Sequence, residues 1–122
     1  MRAVFFLIVG ALIEIVAVGA PHAQQSAKAT LYKSPQCDCC DDYAEYLRGN
    51  GLQVTVIPAH DLATVSRNAG VPERLEACHT MLIDGYVVEG HVPINIVRKL
   101  LTERPSIKGI TMPGMPLGHF PS

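Results

Sequence analysis

Three thiols fall within four residues at Cys37-Asp38-Cys39-Cys40, and a fourth, Cys78, is followed directly by His79. His91 stands after Gly90, and Met112 and Met115 flank Pro113-Gly114. Thiolate, imidazole and thioether are the soft and borderline ligands that suit Cu(I). Thiolates packed this tightly exceed what one mononuclear site needs, so they also suit a small cluster with bridging sulfurs. Zinc could use the same sulfurs, but the spacing is not the pair of separated Cys-x-x-Cys knuckles typical of a structural zinc site. The redox alternative is a dithiol at Cys37 and Cys40, with Cys39 as a modifier. A pair of relaxed structural disulfides is hard to draw, because a Cys39–Cys40 bridge would close a strained ring between adjacent residues.

Each candidate has a plainer reading beside it. Cys78 could serve as a small buried apolar residue. His91 could only cap a helix, and Met112 and Met115 could only pack a loop. His60 and His119 have no supporting context, and Tyr32, Tyr43 and Tyr46 read as core and surface aromatics. The sequence offers no phosphate-binding glycine loop, serine nucleophile elbow or paired carboxylate site, so hydrolase and kinase chemistry has no support.

Composition narrows the class further. The 122 residues are 48% hydrophobic and 17% charged, and ten basic against eleven acidic side chains give a net charge of -1. That balance lacks the basic footprint of a nucleic-acid binder. The apolar fraction is too high for intrinsic disorder, and the length suits one domain. At the N-terminus, Met1-Arg2 precedes an apolar run from Ala3 to Ile13, and after Glu14 the run resumes to Ala20. This describes a secretory signal peptide over residues 1–23, cleaved after Ala23. The domain then occupies residues 24–122 in an oxidising compartment. Only if the segment stayed uncleaved would it act as a membrane anchor, since the run approaches the about 20 residues that span a bilayer.

The elements that must position the cysteines follow from periodicity. Ala29–Tyr32 reads as a strand. Cys40, Tyr43, Ala44 and Leu47 then fall on one helical face, with Asp41, Asp42 and Glu45 in the early turns and Gly49-Asn50-Gly51 as the stop. Leu52–Val56 alternates as a strand with one buried face. Asp61 can cap a second helix that carries Leu62, Val65 and Ala69 and closes at Gly70. A short turn from Pro72 to Leu75 follows. Met81–Ile83 and Tyr86–Val88 flank Asp84-Gly85 as a hairpin. Pro93 opens a last helix with Ile94, Val97, Leu100 and Leu101 inward, ended by Arg104-Pro105, and from about residue 105 a Pro/Gly/Met-rich tail reads as loop.

The predicted order is β-α-β-α-β-β-α, the order of a thioredoxin-like α/β domain. Cys37-x-x-Cys40 falls at a helix N-terminus, where the dipole and free N–H groups favour thiolates. MLIDGYVVEG also resembles the strand–turn–strand after the cis-proline loop of glutaredoxins. His79 then stands where that fold has its proline, facing the cysteine motif.

YKSPQCDCC, LEACHTMLIDGYVVEGHVP and KGITMPGMPLG together resemble the CopG-like family of periplasmic copper-resistance proteins, over roughly Thr30 to Gly118. The resemblance implies an exported thioredoxin-like domain that handles copper, with redox cycling of the bound metal. Matching the family motif picks out Cys37, Cys39, Cys40, Cys78, His79 and His91. The expected partners are copper ions and other periplasmic copper-handling proteins, with no nucleic acid.

Overall fold

The computed structural model describes residues 26–113. The expected signal peptide (1–23) and Met115 therefore lie outside the described residues. Within them the chain forms β1 (Lys28–Lys33), α1 (Asp38–Gly49), β2 (Gln53–Pro58), α2 (Leu62–Asn68), a 3₁₀ turn (Glu73–Leu75), β3 (His79–Ile83), β4 (Tyr86–Glu89), α3 (Ile94–Glu103) and β5 (Gly109–Thr111). The α/β class and the expected order hold, with one strand more than the sequence suggested. The sheet order is β2-β1-β3-β4-β5. β1 pairs in parallel with β2 and antiparallel with β3, β3 and β4 form the hairpin, and β5 joins β4 in parallel.

Alternation along the strands decides which face is covered. Ala29, Leu31, Met81, Ile83 and Val88 point into one core, where Cys40, Tyr43, Ala44 and Leu47 of α1 meet Val97 and Leu100 of α3. Leu31, Tyr43, Leu47 and Met81 have no exposed surface, and each such side chain contributes about 1.5–3 kcal/mol on burial. The hairpin turns at Asp84-Gly85, with φ of 48° and 83°, the paired positive values of a type I′ turn. Asp61 caps α2 as expected: its Oδ1 accepts from Thr64 N–H at 3.1 Å. The inward residue of α2 differs, because Leu62, Val65 and Ala69 are only half-buried while Ser66 is buried. α2 lies on the opposite face of the sheet, where the Ser66 hydroxyl meets Thr80. It is too short to cover that face, and Leu82 is left exposed.

The tail is where the loop expectation is corrected. α3 ends at Arg104 in the left-handed conformation, which turns the chain back along the edge of β4. Ile110 then pairs with Val88 and packs on the core. Gly109 makes this approach possible: a Cβ there would overlap the Val87 carbonyl oxygen. Gly109→Ala should therefore lower stability by about 1–3 kcal/mol, the usual cost of overpacking. Gly49→Ala, at the last residue of α1 with no atom within 4 Å of an added Cβ, should raise it by about 0.4–1 kcal/mol. Thermal unfolding of the two variants checks both signs, and equal melting temperatures would contradict the packing at β5.

Candidate metal centre

The site forms where β1 hands the chain to α1. Cys37 is the N-cap of α1, its side chain makes no capping hydrogen bond, and the first turn that follows carries Cys39 and Cys40. Beside them, Lys33 is buried at the end of β1 and forms an ion pair with Asp41 in the first turn, tying helix to strand. Lys33 also stands opposite His79 in the β1–β3 ladder. That register delivers Cys78, the residue just before β3, to the cysteine turn.

The four sulfurs are in mutual reach. Cys37 and Cys40 are joined as a disulfide, with Cα atoms 5.5 Å apart, while Cys39 and Cys78 are free thiols. Cys37 Sγ lies 3.3 Å from Cys39 Sγ, and Cys40 Sγ lies 3.5 Å from Cys78 Sγ. Ligand atoms of Cys37, Cys39, Cys40 and Cys78 all fall within 4.8 Å of one another, and so do those of Cys78, His79 and His91. Cys78 belongs to both groups, so the two are one continuous patch of sulfur and imidazole.

The histidines are buried rather than lining open water. His79 has no exposed surface and His91 has 2%. Their rings meet edge-on at 5.0 Å, and Tyr43 packs against both, at 4.9 Å from His79 and 5.1 Å from His91. The Tyr43 hydroxyl donates to the Val92 carbonyl at 2.7 Å, which fixes the ring under the pair. His91 Nε2 lies 3.1 Å from the Cys39 carbonyl. A carbonyl only accepts, so Nε2 carries the proton and Nδ1 is the nitrogen whose lone pair can coordinate. His79 Nε2 is buried with no hydrogen-bond partner among the described residues.

The electrostatics describe a site that resists charge while it holds no metal. Burial, with the neighbouring His91, pushes His79 down to about 4, against a backbone hydrogen bond to Gly90. Burial, reinforced by Cys39, pushes the Cys78 thiol up to about 11. Desolvation also raises the Tyr43 phenol. Neutral imidazoles are already in the form that ligates, whereas Cys78 must lose its proton as a metal binds. The orphaned His79 nitrogen is the group that a metal ion would satisfy, and the donor set of sulfur and imidazole fits copper.

Of the residues singled out by sequence, the fold brings together Cys37, Cys39, Cys40, Cys78, His79 and His91. Met112 is half-buried against the core, and its N–H donates to the Glu89 carbonyl at 2.9 Å. Met112 thus lies beside the strand end that leads to His91. His60 is exposed on the chain between β2 and α2. Sequence reasoning passed over Tyr43 as a plain aromatic and did not single out Lys33. A charged residue closing an alternating strand before the cysteine motif was the available signal for Lys33; nothing local marked Tyr43.

Comparison with known proteins shows the family. Residues 75–120 match a family described as a protein of unknown function, DUF411, a span that includes Cys78, His79, His91, Met112 and Met115. No curated protein matches the chain. A solved structure of the copper resistance protein CopG in form 2 is similar with a TM-score of 0.73 at 38% identity, covering 77% of this chain and 75% of that one. Form 1 gives a TM-score of 0.71 at 38% identity, covering 75% and 73%. With that identity sustained over three quarters of both chains, this chain belongs to the CopG family of copper resistance proteins.

Proposed function

We propose that this protein binds copper as Cu(I) in the periplasm, through Cys37, Cys39, Cys40 and Cys78 with His79 and His91, and so acts in copper resistance. The observation that carries the reading is the convergence of four sulfurs and two imidazoles, supplied by three separate segments, on one continuous patch in which Cys40 and both histidines are buried. Family membership supports copper as the metal, and the donor types support its reduced state, since thiolates favour Cu(I). With more sulfur than one ion requires, the site suits a small cluster with bridging sulfurs. Met112 and Met115 would complete it from the tail. Two thiolates become available only when the Cys37–Cys40 disulfide is reduced, so loading is coupled to redox state, and redox cycling of bound copper belongs to the same proposal.

A second reading has a specific observation behind it. The Cys37–Cys40 disulfide at the start of a helix is the arrangement a thiol–disulfide oxidoreductase uses, with Cys39 as a modifier. Anaerobic Cu(I) titration of the reduced protein against a competing chelator separates the two. Copper binding should protect Cys37, Cys39 and Cys40 from alkylation, and Cys39→Ser should weaken affinity while leaving the Cys37–Cys40 pair able to form. Equal alkylation with and without Cu(I), alongside dithiol turnover that survives Cys39→Ser, would favour the oxidoreductase.

The imidazole contribution has its own test. His79→Phe keeps a flat ring against Tyr43 and removes the buried unsatisfied nitrogen, whose burial costs about 1–3 kcal/mol. The metal-free variant should melt higher than the wild type while binding Cu(I) more weakly. Its stability should also respond differently to acid. Wild-type His79 stays neutral in the folded state down to about 4, against an ordinary value of 6.5, so the unfolded chain takes up its proton first. Stability is therefore full above pH 6.5 and falls as the pH drops through that window. The variant should lose this component of the acid destabilisation. A variant that melts lower, or that binds Cu(I) as tightly as the wild type, would remove His79 from the centre.

A further inference from the structure

Glu89 is an acidic residue sealed inside the sheet, with 1% of its surface exposed, and the copper reading gives it no part. It closes β4 opposite Thr80 in the hairpin ladder. That places it on the α2 face, behind the face that carries His79. Both carboxylate oxygens are engaged at 2.7 Å: Oε1 accepts from the Ala77 N–H and Oε2 from the Thr80 hydroxyl. These partners stand immediately before Cys78 and immediately after His79. Ala77 precedes β3, so no ladder bond reaches its N–H, and Glu89 is the group that satisfies it.

We propose that Glu89 is a positioning residue of the metal centre, stapling the chain on both sides of Cys78-His79 so that the sulfur and the imidazole face the Cys37–Cys40 turn. The proposal rests on the copper-binding reading above. One side chain spanning both flanks leaves the pair between them little freedom to turn. Outer partners that orient metal ligands commonly change metal affinity by about 10–100-fold when removed.

The network beyond Thr80 makes the staple separable from the charge. Thr80 Oγ1 lies 2.6 Å from Ser66 Oγ, which lies 3.0 Å from the Leu62 carbonyl oxygen. A glutamine at position 89 can accept from Ala77 N–H and donate to Thr80 Oγ1. Thr80 then donates to Ser66, and Ser66 to Leu62. Every contact is kept without the negative charge. Leucine keeps the bulk and leaves the Ala77 N–H buried and unpaired.

The test compares wild type, Glu89→Gln and Glu89→Leu in Cu(I) competition titrations, with amide hydrogen exchange at Ala77 in the reduced, metal-free protein. Thr80→Val, which removes one arm of the staple, serves if Glu89→Leu does not fold. We expect Glu89→Leu to lose about 10–100-fold in Cu(I) affinity and most of its Ala77 protection, Thr80→Val to lose less of both, and Glu89→Gln to stay near wild type in both. Wild-type affinity and protection in Glu89→Leu, or in Thr80→Val where that stands in for it, would overturn the staple and leave the copper reading standing. Equal weakening in Glu89→Gln and Glu89→Leu would also overturn it, since the charge would then be what matters. Failure of the wild type to bind Cu(I) would overturn the copper reading, and with it any role of Glu89 at a metal.

Discussion

The antiparallel pairing of β1 with β3 is the contact on which the rest of the site depends. In the register that sets Leu31 against Met81 and Lys33 against His79, the end of β1 and the start of β3 lie side by side at one edge of the domain. The chain leaving β1 runs straight into the cysteine turn, and the chain entering β3 has just passed Cys78. That pairing closes residues 34–78 into one loop. A slip of one residue would turn His79 and Met81 to the other face, and the core would lose Met81 at the same moment as the site lost its imidazole. Packing and the proposed site therefore require the same register.

The energetics of the metal-free site run against the fold that builds it. A histidine nitrogen is buried without a partner among the described residues, burial raises the pKa of a thiol, and an acidic side chain is sealed behind them in the sheet. Each is the kind of group that a core shaped only for stability would replace with an apolar one. They persist where the surroundings over-determine them: Tyr43 beneath the histidines, Lys33 paired with Asp41, and α1 packed on the sheet through Leu47 and Ala44. A metal held by the histidine and the thiol would turn their two costs into ligand bonds, and metal affinity and stability would then be linked in one balance.

Much of this was legible in the sequence because it is local. The face of α1, the Asp61 cap, the Asp84-Gly85 turn and the start of α3 after Pro93 each depend on residues a few positions apart. The meeting of Cys78-His79 with the cysteine turn was legible at second hand, through the order of elements and the family resemblance. What stayed hidden depends on partners distant in the chain. β5 forms only because Gly109 lets the backbone close on Val87, and a three-residue strand has too few positions to show a period. Ser66 faces inward on α2 because Thr80 waits across the sheet, which no helical pattern of Leu62, Val65 and Ala69 could indicate. Glu89 read as part of a motif, and its ties to Ala77 and Thr80 become visible only when β3 and β4 are paired.

Sulfur and imidazole from separate segments are proposed to share one copper centre. X-ray absorption spectroscopy of the protein loaded anaerobically with Cu(I) tests it most directly, since it reads oxidation state and ligand type together. Copper should be held as Cu(I) in a sulfur-dominated shell, with an imidazole component that diminishes in His79→Phe. A shell of nitrogen and oxygen without sulfur would contradict it, as would a sulfur shell unchanged by the loss of His79.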